Sequence, residues 1–123
     1  MKALVVDRSR ANRLVVTKHL SDLGFQVADA SDGREGILCL KNDTTFNVVI
    51  VDAEIPGMTG LDFIRLMRTE PATKDLPVIM VSSMDSQGHM IAAIEAGANE
   101  YILKPFTKEA LEAKLDLLGV EYR

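Results

Sequence analysis

Short apolar runs alternate along the chain with longer stretches in which apolar residues recur every three to four positions. ALVV (3–6) reads as a strand, and residues 9–23 as a helix with Asn12, Val16, Leu20 and Leu23 on one stripe. Gly24 stops that helix. FQVADA (25–30) alternates apolar and polar, as a less buried strand does, and residues 32–40 form a short helix carrying Ile37 and Leu40. NVVIVD (47–52) is continuous and β-branched, the composition of a central parallel strand covered on both faces. AEIPGMTG (53–60) is a loop by its Pro56, Gly57 and Gly60. Residues 61–68 are helical, PVIMV (77–81) is another buried strand, and residues 86–96 form a helix that Gly97 ends. EYIL (100–103) is the fifth strand. The last helix covers 107–118, with Thr107 as its N-cap and Pro105 preventing an earlier start.

Five strands thus alternate with five helices through short connections. Parallel strands need right-handed crossovers with helices on both faces, so the pattern predicts an α/β fold, a doubly wound five-stranded parallel sheet. At 123 residues the chain suits one domain, and with 47% hydrophobic residues it can bury a core throughout. Its net charge of −4 argues against general nucleic-acid binding through a basic surface. No apolar run is long enough for a membrane span. Asp7 and Arg8 come too early for a signal peptide, and the single cysteine, Cys39, excludes an internal disulfide. A cytoplasmic protein is expected, with Cys39 as a buried structural thiol.

In an open α/β sheet, ligands bind beyond the carboxyl ends of the strands. Asp7 and Arg8 follow the first strand, Asp52 ends the third, Ser82 and Ser83 follow the fourth, and Lys104 and Pro105 follow the fifth. Core packing requires polar residues at none of these four places. Their convergence predicts one functional crevice. No Gly-rich fingerprint follows the first strand, which excludes dinucleotide and P-loop sites. Cys39, His19 and His89 lie in separate helical segments and make no zinc set; neither histidine is expected to take a chemical role. The methionines are scattered, as core filler would be. Clustered carboxylates suit Mg²⁺, which takes few protein ligands. A carboxylate beside Mg²⁺ and a lysine can accept a phosphoryl group covalently, a transfer that needs mainly positioning and charge neutralisation.

LVVD (4–7), VVIVDAEIPGMTG (48–60), IMVSS (79–83) and AGANEYILKPF (96–106), in this order and spacing, resemble the receiver domain of two-component response regulators over the whole of residues 1–123. The resemblance implies the flavodoxin-like strand order 2-1-3-4-5 and a phosphorylation-operated switch. Asp52 would accept the phosphoryl group from a phosphohistidine on a sensor histidine kinase or phosphotransfer protein. Lys104 would pair with that group, its bond to Pro105 cis. Ser82 would be the switch hydroxyl, Tyr101 the aromatic that reports the state, and the face formed by the fourth helix, fifth strand and fifth helix the surface for a downstream protein.

Two departures stand out. Receivers usually end the first strand with two consecutive acids, and here the second is Arg8. Either Asp7 shifts role, or Mg²⁺ is held weakly, or the guanidinium partly replaces the metal. Glu54 follows two residues after Asp52, where it could return a carboxylate to a metal set of Asp7, Asp52 and Glu54, or neutralise Arg8. Arg8 is expected within reach of Asp52 or Glu54. Met84, two residues past Ser82, gives no polar help to an attacking water, so Glu54 and Met84 together predict slow dephosphorylation. A domain filling the chain is expected to act through a non-covalent partner rather than as an enzyme. The rival readings are a pseudo-receiver that binds protein without phosphate, favoured by Arg8, and a small phosphohydrolase, for which a second aspartate two residues after Asp52 is missing.

Overall fold

A computed structural model describes residues 1–84 and 86–120. Strands β1 (Lys2–Val6), β2 (Gln26–Ala30), β3 (Val48–Asp52), β6 (Val78–Ser82) and β7 (Glu100–Leu103) form one sheet in the order β2-β1-β3-β6-β7, every pairing parallel. This is the doubly wound order that the resemblance implied. The central β3 is buried at all five positions, whereas edge strand β2 is buried only at Ala30.

Alternation along the strands sorts the core into two layers. Leu4, Val6, Val49, Val51, Met80 and Tyr101 face α2 (Gly33–Asn42), α3 (Gly60–Thr69) and α4 (Gln87–Ala96), whose Leu40, Phe63, Ile64, Met67 and Ala93 close that layer. Ala3, Val5, Val48, Ile50, Ile79, Val81 and Ile102 face α1 (Arg10–Asp22) and α5 (Lys108–Leu117), meeting Val16, Leu20, Leu111 and Leu115. Among the described residues, all five helices begin on a side-chain cap. Ser9, Asp32, Thr59, Ser86 and Thr107 accept from the backbone amides of Asn12, Glu35, Asp62, His89 and Ala110, which satisfies one otherwise unpaired amide at each start.

Three details depart from the expected pattern. The loop after β3 contains a two-residue antiparallel ribbon, β4 (Glu54–Ile55) against β5 (Met58–Thr59), turned by Gly57 at φ +83°. Of the methionines, Met67 and Met80 are core, but Met84 and Met90 stand exposed. Cys39 is half-buried rather than buried, and burial raises its thiol above the ordinary value.

Two close approaches fix the helices over the sheet. A Cβ on Gly60 would lie 2.5 Å from the Asp52 carbonyl oxygen, so only glycine lets α3 start directly against the end of β3. Gly97 caps α4 at φ +117°, and its carbonyl accepts from Nε and Nη2 of Arg68. The same guanidinium donates to the carbonyls of Thr73, Lys74 and Leu76 and to Asn99 Oδ1. Arg68 therefore ties the end of α3, the loop before β6 and the end of α4 together. Burial lowers its basicity below the ordinary arginine value.

Candidate functional site

Strand register brings the polar strand ends together. Val6 pairs with Val51, Asp52 with Val81, and Ser82 with Leu103, so Asp7, Asp52, Ser82 and Lys104 all emerge at the same edge. They line a cleft of about 250 Å³ with Arg8, Ser9, Asn12, Ala53, Glu54 and Ser83.

Asp52 is only 6% exposed at the floor of this cleft. Its Oδ1 accepts the Glu54 amide at 2.9 Å, and its Oδ2 meets the Lys104 ammonium in a direct ion pair. The Lys104 Nζ also lies 3.9 Å from Asp7 Oδ2. Asp7 is equally enclosed, and its Oδ1 accepts the Ser9 amide at 2.8 Å in the turn that enters α1. Burial pushes the Asp7 carboxyl above its ordinary value, and the neighbouring Asp52 charge adds to the rise. One ammonium thus serves two nearly enclosed acids.

The corner bearing Asp7 is held by Arg13, whose Nη1 donates to the Asp7 carbonyl at 2.8 Å while its Nε pairs with Asp29 at 3.0 Å. The pattern reading missed this residue. Its only signal is a basic side chain on the first turns of α1, opposite an acid near the end of the adjacent strand.

Two acids sharing one crevice, one of them resisting ionisation through burial and, to a lesser degree, the other's charge, fit a hard divalent cation that keeps several waters. Asp7 and Asp52 would hold Mg²⁺. Glu54, the third carboxylate of the anticipated set, lines the cleft but stands at its rim. Its Oε2 lies 3.9 Å from Arg8 Nη2, both side chains being 65% exposed at the rim. Among the described residues no group of three His, Cys, Asp or Glu is arranged to hold a metal. Of the two expected targets of Arg8, Glu54 is the one it meets. An exposed pair of this kind contributes under about 1 kcal/mol.

Ser82, 2% exposed, accepts the Met84 amide on its Oγ at 3.0 Å. Tyr101 is 6% exposed, and its hydroxyl donates to the Met84 carbonyl at 2.9 Å. Met84 is thereby held through its amide by Ser82 and through its carbonyl by Tyr101, while its own side chain stands exposed. His89, expected to be chemically idle, places Nδ1 2.7 Å from the Tyr101 hydroxyl. Nothing in the apolar pattern could reveal this, because the contact crosses from α4 to β7. The Lys104–Pro105 bond is cis. No helix among the described residues is long and apolar enough to cross a membrane.

A family model described as the response regulator receiver domain matches residues 3–116. The chemotaxis protein CheY of Pseudomonas aeruginosa is 38% identical over 117 residues, 94% of each chain. The solved chemotaxis response regulator CheY4 of Vibrio cholerae superposes with a TM-score of 0.89 at 32% identity, covering 95% of this chain and 97% of that one. The receiver domain of the sensor histidine kinase PA1611 of Pseudomonas aeruginosa shares the fold, with a TM-score of 0.86 at 23% identity over 97% and 98% of the two chains; its structure carries a magnesium ion coordinated in the active-site cleft. On the matched model and the shared identity, this chain belongs to the response regulator receiver family.

Proposed function

We propose that this chain is a signalling switch that takes a phosphoryl group on Asp52 and thereby changes its affinity for a partner protein. The observation that carries the assignment is the double hold on the Asp52 carboxylate, the Glu54 amide on Oδ1 and the Lys104 ammonium on Oδ2. It aims a nearly enclosed nucleophile into an open cleft and supplies a cation where phosphoryl charge arrives.

In the transfer, an Asp52 oxygen attacks the phosphorus of a phosphohistidine on a histidine kinase or phosphotransfer protein. The new P–O bond forms as the P–N bond breaks, and the imidazole leaves with the electron pair. Lys104 pairs with the incoming oxygens, and Ser82 offers its hydroxyl from the neighbouring strand end. Mg²⁺, when bound, neutralises charge on the transferring group. Asp7 and Asp52 are the enclosed carboxylates that would hold it. The reaction consumes the protein's own carboxylate once per event, so the chain acts as a switch rather than as a turnover catalyst.

Phosphorylation adds roughly −1.5 to −2 charges beside Ser82. Drawing Ser82 toward the phosphoryl group pulls on the Met84 amide, and through the Met84 carbonyl on Tyr101 in β7. The output surface is the face of α4, β7 and α5, where Met90, Ile91, Ile94 and Leu103 stand exposed. Arg8 sits across from Glu54 rather than over Asp52, which supports a cleft open to a phosphodonor and weighs against the pseudo-receiver.

The test is intact mass after incubation with acetyl phosphate and Mg²⁺. The wild type should gain one acid-stable, base-labile phosphoryl group, and Asp52→Asn none. An adduct that persists in Asp52→Asn, on Asp7 or Glu54, overturns the assignment. No adduct in either protein supports the pseudo-receiver, and continuous phosphate release supports the hydrolase.

A further inference from the structure

The Tyr101 hydroxyl has one proton, and the geometry places it on the Met84 carbonyl at 2.9 Å. Toward His89 Nδ1, 2.7 Å away, the same oxygen can then only accept. The imidazole therefore carries a proton on Nδ1 and donates it to the phenol, a tautomer assigned from the hydrogen count. The two rings also meet edge to face, centroids 5.7 Å apart at 71°. His89 is itself steadied because its backbone amide donates to Ser86 Oγ at the start of α4. A half-buried side chain on α4 thus reaches across to the aromatic residue of β7 and satisfies the lone pair that its inward position would otherwise leave without a donor.

We infer that His89 is a positioning residue that latches Tyr101 inward before any phosphoryl group arrives. This rests on the reading of Tyr101 as the reporter of the switch. In that role His89 sets the resting point of the equilibrium. With the latch in place the output face is already partly in its phosphorylated arrangement, so phosphorylation shifts it less than it would in a chain without the latch.

The experiment is nuclear magnetic resonance of the full chain, with 13C-labelled tyrosine rings and Tyr122→Phe to leave Tyr101 as the sole signal. Wild type, His89→Phe and His89→Asn are compared with and without acetyl phosphate and Mg²⁺. Phenylalanine keeps the edge contact and deletes the donor; asparagine keeps an N–H near the Nδ1 position and deletes the ring. In the resting protein, His89→Phe should raise the ratio of outward to inward Tyr101 by about three- to tenfold, the worth of one net hydrogen bond. His89→Asn should stay close to wild type. Phosphorylation should then return Tyr101 inward in His89→Phe, giving that variant the larger phosphate-dependent shift.

If His89→Phe leaves the resting Tyr101 signal where the wild type has it, packing alone holds the ring and the inference is overturned. It is likewise overturned if His89→Asn behaves as His89→Phe does, because the ring rather than the donor is then what acts. If Tyr101 ignores phosphorylation in every variant, the switch reading of Tyr101 falls, while the resting comparison still decides the latch.

Discussion

Replacing Asp7 with asparagine should make the protein more stable at neutral pH while impairing its metal site. Asp7 is nearly enclosed, and burial is the largest influence raising its carboxyl above the ordinary value of 3.8, ahead of the opposing Ser9 amide bond and of the Asp52 charge. Lys104 Nζ, 3.9 Å from Asp7 Oδ2, offers an attraction of about 4 kcal/mol at an effective dielectric of 20. The Asp52 carboxylate on the same ammonium opposes it with a repulsion of the same order, so these two largely cancel. Asparagine keeps an oxygen to accept the Ser9 amide and can turn its NH₂ toward Asp52. What remains is the cost of enclosing a charge. Removing it should stabilise the fold by about 1 kcal/mol, or roughly 3–6 °C in melting temperature for a domain of this size.

The pH dependence carries the sign. Because the folded Asp7 binds its proton more tightly than the unfolded chain does, its stabilising contribution is complete below 3.8 and is lost as pH rises through the folded value. The advantage of Asp7→Asn should therefore open above that window and vanish near about pH 3, where the acid is neutral in both states. Urea unfolding at both pH values, in chelator and without Mg²⁺, measures it. Equal or lower stability of the variant at pH 7.5 would refute the reasoning and show that Lys104 more than compensates both acids.

Arg8→Asp should tighten Mg²⁺ binding severalfold in a fluorescence or calorimetric titration while leaving stability nearly unchanged, since the exposed pair with Glu54 contributes little; equal affinities would mean that Arg8 exerts no field on the cleft. Met84→Glu or Glu54→Asn should shorten the lifetime of the phosphorylated protein several times, followed by loss of label after the donor is removed, and an unchanged lifetime in both would separate these positions from water attack. Arg68→Lys should cost about 2–3 kcal/mol in urea unfolding, because an ammonium cannot replace a guanidinium that serves four carbonyls and an amide oxygen; a loss under about 0.5 kcal/mol would mean that water substitutes for it.

The layered sheet was legible because its signal is local and repeated. A run such as VVIVD admits few placements other than a central parallel strand, and β3 is buried at all five positions. The site was legible for a related reason. Once the strands are parallel, residues at their carboxyl ends must converge, so Asp7, Asp52, Ser82 and Lys104 could be placed together without knowing any side-chain direction. What stayed hidden depends on direction. The ribbon at Glu54–Ile55 and Met58–Thr59 is too short for periodicity to register. Arg13, Arg68 and His89 act through long or swivelling side chains whose partners lie on other elements, and one-dimensional spacing carries no information about where such a side chain ends.

Glu54 shows how far this limit reaches into function. Position alone allowed it to join Asp7 and Asp52 around a cation or to answer Arg8, and the choice is decided by solvation. Bringing a third carboxylate against two enclosed acids would add repulsion to a cleft where Asp7 already resists ionisation. At the rim, Glu54 keeps its water and meets the guanidinium at 3.9 Å at little desolvation cost. With Glu54 meeting Arg8 at the rim, the exchange of an acid for Arg8 is expected to leave the metal site without Glu54 as a substitute ligand. It leaves a site of two buried acids, with Lys104 as the cation in contact and a second positive charge at the rim. In the unphosphorylated state a dication must compete with both. Once Asp52 carries phosphate, the added oxygens bring new negative charge and new ligands to the same place. The expected outcome is a cleft that binds Mg²⁺ more tightly once phosphorylated, and titrating Mg²⁺ into the phosphorylated and the unmodified protein checks it, equal affinities refuting it.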